Sequence, residues 1–429
     1  MSEKLNYNLT NLLLADHMID IPYNHKKHIF FNRTNGAICL LSKRDISRTS
    51  NKSSSKNENL YIKLTENKIL EYEGISIQKK FDSFLVTIEM STLCNLQCLY
   101  CYQDKEVVRK EITNEILEKI YAYITAVLEE NNKINYVVIG YIGGEPLLHK
   151  EKLIKSIKKI NELCQSFNKS CYFHIDTNGT IDFSSCYNTM NHLELSVSLS
   201  SKNDHNINRP SLYFNSFEVI FENLSRLNNT NNKLSIRYNT NQSNLKDFSK
   251  FVRLVRNRLP HVYNIDPMYT DNYEINKDFN NCMSIKEFAI WNSTKSIDIL
   301  IKNRFPITGV IASSLKLCAA YQPFSCKIHS DGYVTLCDSM PYSTILHVTE
   351  LSKNISLLNE RYFEYKNYNP LDDSKCKACK KIVQCQGRLF CKTDSCLYEK
   401  RYDELHFLKS FVKYSLKGKA KFFVNMTDD

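Results

Sequence analysis

Glycine and proline are scarce in this chain, ten and nine among 429 residues, and there is a single tryptophan. Those counts exclude a collagen-like or Pro/Gly-rich low-complexity chain, and they make every glycine cluster informative. No uninterrupted apolar run approaches the roughly 20 residues needed to span a bilayer, so a membrane protein is not expected. The start, MSEKLNYNLTNLLLADHMID, lacks the charged n-region, long apolar stretch and small-residue cleavage site of a signal peptide. The cytoplasm is the expected compartment. No internal repeat is visible. What the chain has in excess is cysteine and positive charge. Sixteen cysteines are many for a compartment where disulfides are rarely kept, so some thiols should bind metal or do redox chemistry. The net charge of +11 comes from 57 basic and 46 acidic residues interleaved along the chain, which reads as a solvated mixed surface. No nucleic-acid partner is expected.

At about 150 residues per domain the length predicts two or three domains. Residues 1–80 read as a small separate unit. His28-Ile-Phe-Phe-Asn32 and Ala37-Ile-Cys-Leu-Leu41 are short strands joined across an Asn-Gly hairpin signal. Ser47 to Asn59, rich in Ser, Lys and Asn, predicts a flexible loop, and an apolar pattern resumes from Tyr61 to Ile75. From residue 82 to 270 strands and helices alternate, beginning with Ser83 to Met90 and a helical stripe over Glu111 to Glu130. Six strands with five crossovers predict a parallel sheet with its reactive groups in the loops after the strands. Residues 271–317 form a bridging segment with Trp291. Residues 318–396 hold a cysteine-rich block, and 397–429 read as a basic amphipathic helix and tail. In that helix Leu405, Leu408, Phe411, Val412 and Leu416 are spaced to pack inward.

Three constellations carry chemistry. Cys94-x3-Cys98-x2-Cys101 follows the first strand of the alternating array. Three thiolates at that spacing can hold one face of a four-iron cluster and leave one iron open, whereas structural zinc closes with four ligands. Gly143-Gly144-Glu145-Pro146 follows the second strand. Adjacent glycines allow close backbone approach to a ligand, and the carboxylate can accept hydrogen bonds from an amine. The third is C-terminal: Cys318, Gly332 and Cys337, then Cys376, Cys379, Cys385, Cys391 and Cys396.

The triplet with Gly143-Gly144-Glu145-Pro146 resembles the radical S-adenosylmethionine (SAM) superfamily, whose catalytic domain is a partial (β/α)6 barrel. The implied fold class is α/β: that barrel, a small N-terminal α+β winged-helix-like unit and a C-terminal cysteine-rich domain. By this resemblance Cys94, Cys98 and Cys101 hold a [4Fe-4S] cluster whose open iron chelates SAM. Reductive cleavage then gives a 5′-deoxyadenosyl radical that abstracts hydrogen from the substrate. Tyr100 would lie near the adenine, and Glu145 with its glycines would bind the methionine amine. Asn178, in the Thr-Asn-Gly turn after the third strand, matches a similar family turn. Ser198 would meet the ribose and Arg209 the methionine carboxylate, although Ser200-Ser201 replaces the usual Asp-Gly of that region.

The C-terminal block resembles the SPASM domain, which adds two auxiliary clusters and brings the expected total to three [4Fe-4S] clusters. Carried over, Cys318, Cys337 and Cys391 would serve the inner auxiliary cluster, and Cys376, Cys379, Cys385 and Cys396 the outer one. Five residues follow Cys385 where three are usual. Cys326 reads first as a core residue. Asp338, directly after Cys337, matches an aspartate that acts as proton acceptor in anaerobic sulfatase maturases. The resemblance implies a maturase that cross-links a ribosomally made precursor peptide, cyclophane formation included. The N-terminal unit would bind the leader, and a flavodoxin or ferredoxin would donate electrons. The alternatives are a formylglycine-forming sulfatase maturase, a non-enzymatic iron–sulfur carrier or sensor, and a zinc-stabilised binding module.

Overall fold

The structure, a computed structural model, describes residues 17–32, 34–49, 55–71, 81–103, 110–271, 279–307, 319–337, 342–377 and 403–415, with Leu13, Ala15 and Met340. The chain divides into two units, Lys80–Phe288 with Cys318–Tyr368, and Met1–Lys79 with Ala289–Leu317 and Asn369–Asp429.

In the second of these, β1 (Met18–Pro22), β2 (Lys27–Asn32) and β3 (Ile38–Ser42) form an antiparallel sheet in that order. The hairpin falls where the Asn-Gly signal predicts, with Gly36 at φ +73°. Leu13, Met18, Phe30, Leu41, Leu64 and Ile69 make the local core. Asn32 is buried at the turn, and its amide donates to the carbonyls of Ile69 (3.0 Å) and Glu71 (2.7 Å), tying the hairpin to the chain beyond the helix Ser55–Glu66. That helix corrects the loop expected over Ser47 to Asn59, because residues 55–59 are its first turn and 47–49 end the helix Lys43–Thr49. Burial of Leu64 one turn after partly buried Leu60 and Tyr61 recruits a polar stretch that composition alone assigns to loop. The helix Glu404–Ser415 belongs to the same unit and buries Phe407, Leu408, Val412 and Tyr414. Leu405, expected inside, is exposed, and Leu416 lies outside the described residues.

The other unit is built on β4 (Ser83–Glu89), β5 (Tyr136–Ile142), β6 (Ser170–Thr177), β7 (Leu193–Ser198), β8 (Lys233–Thr240) and β9 (Asn264–Tyr269), parallel and adjacent in chain order. Alternate residues divide the faces. Phe84, Val86 and Ile88 of β4 are fully buried on one side, while Leu85 and Thr87 are only half-buried on the other. Helices Asn114–Glu130, Lys150–Ser166 and Phe248–Arg258 connect strands and bury one stripe each, for example Leu117, Ile120, Ile124 and Val127 in the first. Two further strands, β10 (Cys326–Ile328) and β11 (Val334–Thr335), extend the sheet beyond β4. β10 runs parallel to β4, with Cys326 beside Val86 and Ile328 beside Ile88. The eight-stranded sheet therefore draws two strands from the cysteine-rich C-terminal segment. No helix among the described residues is long and apolar enough to cross a membrane.

Candidate active site

Parallel strands deliver their C-terminal loops to one edge of the sheet, and four of these loops meet there. The loop after β4 carries Cys94, Cys98 and Cys101. The loop after β5 is bound to it through the backbone: Gly144 N–H donates to the Ser91 carbonyl (2.8 Å) and Glu145 N–H to that of Leu93 (2.7 Å). A Cβ on Gly144 would sit 2.2 Å from the Leu93 oxygen, and one on Gly143 would sit 2.3 Å from the Ser91 oxygen. The close approach this glycine pair permits is that of the cysteine loop's own backbone.

Glu145 is fully buried. It accepts from Leu147 N–H (2.9 Å), the Thr177 hydroxyl (2.7 Å) and Asn178 N–H (2.6 Å). Burial pushes its carboxyl above the ordinary range, and these three donors work against that rise. Pro146, also buried, opens the short turn Pro146–His149 that fixes the Glu145 backbone. Asn178 joins β6 to the cysteine loop, its amide donating to Asn95 Oδ1 (2.8 Å) and Cys94 Sγ (3.7 Å). Thr180 closes the circuit, accepting from Asn95 and donating to Asn178 Oδ1. Gln103 donates to the Gly143 carbonyl (2.9 Å).

The loop after β7 meets the cysteine loop from another side. Gln97 N–H donates to the Pro210 carbonyl and Leu99 N–H to that of Asn208, both at 2.9 Å. Between these contacts lies Arg209, buried beside Cys98 and Tyr100. Burial opposes its charge, but those acidic neighbours outweigh it and hold the guanidinium more basic than usual. Its Nε–H has no hydrogen-bond partner among the described residues. Tyr100, whose phenol burial pushes up, accepts from Asn239 (3.1 Å) and meets Phe279 edge-on.

Asp204 holds this corner together. Its buried carboxylate accepts from Ser200, Asn208, Asn241, Ser243 and Asn244 at 2.8–3.0 Å, uniting the loops after β7 and β8. Beside it, His205 is buried and kept neutral by burial and by Arg209. Its Nδ1 accepts from Ser200 N–H, which leaves the proton on Nε2.

Ser198 lies half-buried at the end of β7, in register with Arg237 of β8. On this less-covered face of the sheet Arg237 pairs with Asp176 one layer deeper (3.1 Å), and His174 lies between Asp176 (3.3 Å) and Glu194 (3.8 Å). Across the sheet Glu89 is buried with Lys327 (3.6 Å) and His329 (3.3 Å).

Cys337 and Cys376 are half-buried. Cys318, Cys379, Cys385, Cys391, Cys396 and Asp338 lie outside the described residues. Cys326 packs at β10 near Tyr123 of the helix Asn114–Glu130, and burial lifts its thiol to about 12.

Every barrel-side residue that the motifs nominate is thus on or beside the four loops. Asn95, Gln103, Thr177, Asp204 and Asn239 are additional. Of these Thr177 had a signal as the first residue of the Thr-Asn-Gly turn, and Asn239 as the first of the asparagine-rich Asn-Thr-Asn-Gln-Ser-Asn.

Residues 88–278 match the family model of the Radical SAM superfamily. Over 78 residues the chain is 33% identical to the GTP 3′,8-cyclase of Clostridium botulinum; that is 18% of this chain, and it spans only 24% of the length of that relative. The fold is similar to that of anSMEcpe solved with bound AdoMet and a Cp18Cys peptide, with a TM-score of 0.54 and 18% identity over 78% of this chain and 97% of that one. It is also similar to Streptococcus suis SuiB bound to its precursor peptide SuiA, with a TM-score of 0.53 and 12% identity over 91% of this chain and 98% of that one.

Proposed function

We propose that this chain is a radical SAM peptide maturase that abstracts hydrogen from a side chain of a ribosomally made precursor and oxidatively cross-links it, a reading supported by the match of residues 88–278 to the Radical SAM superfamily. The observation that carries this reading is the meeting of the cysteine loop, the Glu145 turn, the Asn178 turn and Arg209 at one sheet edge. The residues fit the implied groups. Arg209 offers a buried, unpartnered N–H to a carboxylate, and Glu145 offers a buried carboxylate to an ammonium. Three thiols share one short loop.

When bound, the cluster and SAM supply the 5′-deoxyadenosyl radical. Cys94, Cys98 and Cys101 hold the cluster, and Asn178 steadies Cys94 through its amide. Arg209 and Glu145 orient the methionine carboxylate and amine. Tyr100 and Ser198 flank the adenine and ribose, and Asp204 fixes the loop that carries Arg209. The ion pairs of Asp176, Arg237, His174 and Glu194 give the face below a polar lining for the substrate side chain. Cys318, Cys337 and Cys391, and Cys376, Cys379, Cys385 and Cys396, would hold two auxiliary clusters able to accept an electron from the substrate radical, and Asp338 would accept the proton.

Support for a leader-bearing peptide comes from the three-stranded N-terminal sheet and from the likeness to SuiB with SuiA over 91% of the chain. A second reading, oxidation of one side chain to formylglycine, rests on the equal likeness to anSMEcpe.

Anaerobic reconstitution tests the class. Replacing Cys94, Cys98 and Cys101 together with alanine should remove about four of about twelve irons and abolish 5′-deoxyadenosine formation. A triple variant that still makes 5′-deoxyadenosine would sink the assignment. Fragmentation and aldehyde trapping of the product then decide between readings: a cross-link removes hydrogens and joins two residues, whereas formylglycine formation leaves a trappable aldehyde on one residue, by loss of two hydrogens from serine or by exchange of sulfur for oxygen from cysteine.

A further inference from the structure

The hydrogen bonds around Asn178 leave its amide a single orientation. Its Oδ1 accepts from Thr180 N–H (2.9 Å) and from the Thr180 hydroxyl (2.7 Å). Its Nδ2 therefore faces the cysteine loop, with one hydrogen on Asn95 Oδ1 (2.8 Å) and the other on Cys94 Sγ (3.7 Å). A flipped amide would set oxygen against the Asn95 oxygen and NH2 against the Thr180 N–H. Asn95 is held in turn, because its amide donates to Thr180 Oγ1 (2.8 Å). We propose that Asn178 sets the reduction potential of the centre that Cys94 helps to hold, its N–H favouring the reduced state; the inference rests on the function proposed above and deepens the part Asn178 plays there.

Reduction brings one electron from a donor and breaks no bond, and the added negative charge spreads onto the ligand sulfurs. An N–H aimed at such a sulfur is attracted more strongly in the reduced state, which raises the potential. Asn178 is buried, so little water competes for that N–H and its field is weakly screened. Because the amide is already fixed, no side chain has to reorient when the electron arrives. Leu96 N–H, a second donor on Cys94 Sγ (3.5 Å), belongs to the cysteine loop's own turn. Asn178 reaches the sulfur from the loop after β6, so a change of its side chain removes a donor and leaves the cysteine spacing intact.

The test is a redox titration of the reconstituted full chain with a europium(II) chelate, followed by electron paramagnetic resonance. The relevant centre is the reduced-state signal that is missing when Cys94, Cys98 and Cys101 are all alanine. Any signal that survives in that triple variant serves as an internal reference. Asn178→Leu keeps the volume and removes the donor, whereas Asn178→Asp keeps an acceptor for Thr180 and turns an oxygen toward the sulfur. In Asn178→Leu the equilibrium constant for one-electron reduction should fall about threefold to tenfold. That is a shift of about 30–60 mV to more negative potential, at 59 mV per decade for one electron. Asn178→Asp should lie lower still, with the iron content of both variants and the reference signals unchanged. An unmoved or raised potential in Asn178→Leu overturns the proposal. Loss of iron with the remaining signal at the parent potential would make Asn178 a structural tie alone and overturn it too. Thr180→Val is the milder variant should both lose the centre entirely. It frees Asn178 Oδ1 from the hydroxyl, so a smaller negative shift is expected, and an unmoved potential again overturns the proposal. A parent chain without any signal that depends on the three cysteines would instead count against the function proposed above.

Discussion

Gly144 has no room for a side chain, because the obstruction is the backbone of Leu93 rather than a flexible group that could swing away. Gly144→Ala should therefore push the cysteine loop off the Glu145 turn, and we expect a loss of about four irons per chain measured after reconstitution. Full iron content would show that the loop adapts. Glu145→Gln keeps the shape of the turn but removes the charge offered to an ammonium. A charge-assisted bond is worth about 1.5–3 kcal/mol, so SAM affinity should fall roughly tenfold or more with iron retained, as read by equilibrium binding. His174 makes a pH prediction. Burial alone would lower its pKa, but Asp176 and Glu194 outweigh that and raise it from 6.5 to about 9. A folded pKa above the unfolded one means that this histidine stabilises the fold fully below pH 6.5 and loses that contribution as pH rises through about 9. Denaturation midpoints between pH 6 and 9.5 should fall more steeply for the parent chain than for His174→Gln, and identical slopes would refute the assignment. At this scale the legible residues were those whose chemistry is rare: three thiols at fixed spacing, and a carboxylate beside two glycines. Asn95 and Gln103 were not legible, since ordinary polar side chains acquire a role only when one loop folds onto another.

Among elements, what could be read depended on whether the signal was local. The hairpin of β2 and β3 is encoded in its own turn residues, and the six parallel strands in their own alternation. Two elements were decided by distant partners. The helix Ser55–Glu66 forms because Leu64 finds a core beside Phe30 and Leu41, and β10 joins the sheet because Cys326 and Ile328 pack beside Val86 and Ile88 of a strand some 240 residues earlier. The edge of β3 carries the leader proposal. Asn32 N–H donates to the Ala37 carbonyl and Lys43 N–H to that of Lys26, so Cys39 and Leu41 share the ladder with β2 while Leu40 turns its N–H outward. Leu40→Pro removes that donor without breaking a bond among the described residues, a substitution that edge strands tolerate. If the leader adds as a strand, its affinity should fall several-fold to tenfold while SAM cleavage without peptide is unchanged. Unaltered leader binding would place the contact elsewhere.

The whole molecule is two separately cored units, and each is discontinuous in sequence. Linear reading divides the chain at composition changes, which is why it placed 1–80, 271–317 and 397–429 in three pieces. The physical division follows burial instead. Ser410 of the helix Glu404–Ser415 donates to the Ser293 carbonyl (2.7 Å), which lies in the π-helical turn Asn292–Ser296 where the ordinary ladder is relaxed. Lys413 and Tyr414 bond Asp298 from the same face. Deleting the first 80 residues would remove β2, which the helix Glu404–Ser415 packs against, and it is a poor test of leader recognition. Point substitution is cleaner. Phe407 is buried in one unit and Phe251 in the other, and truncating a buried phenylalanine to alanine costs about 3–5 kcal/mol. For units of this size each kcal/mol moves the melting midpoint by about 2–4 °C, so each substitution should shift one transition by roughly 10 °C. Calorimetry should resolve two transitions, the first sensitive to Phe407→Ala and the second to Phe251→Ala. The same Phe407→Ala protein, held below its lowered midpoint, should bind leader more weakly while dithionite-driven SAM cleavage continues. A single transition displaced by both substitutions would mean that the units unfold as one, and leader binding and radical generation would then be lost together.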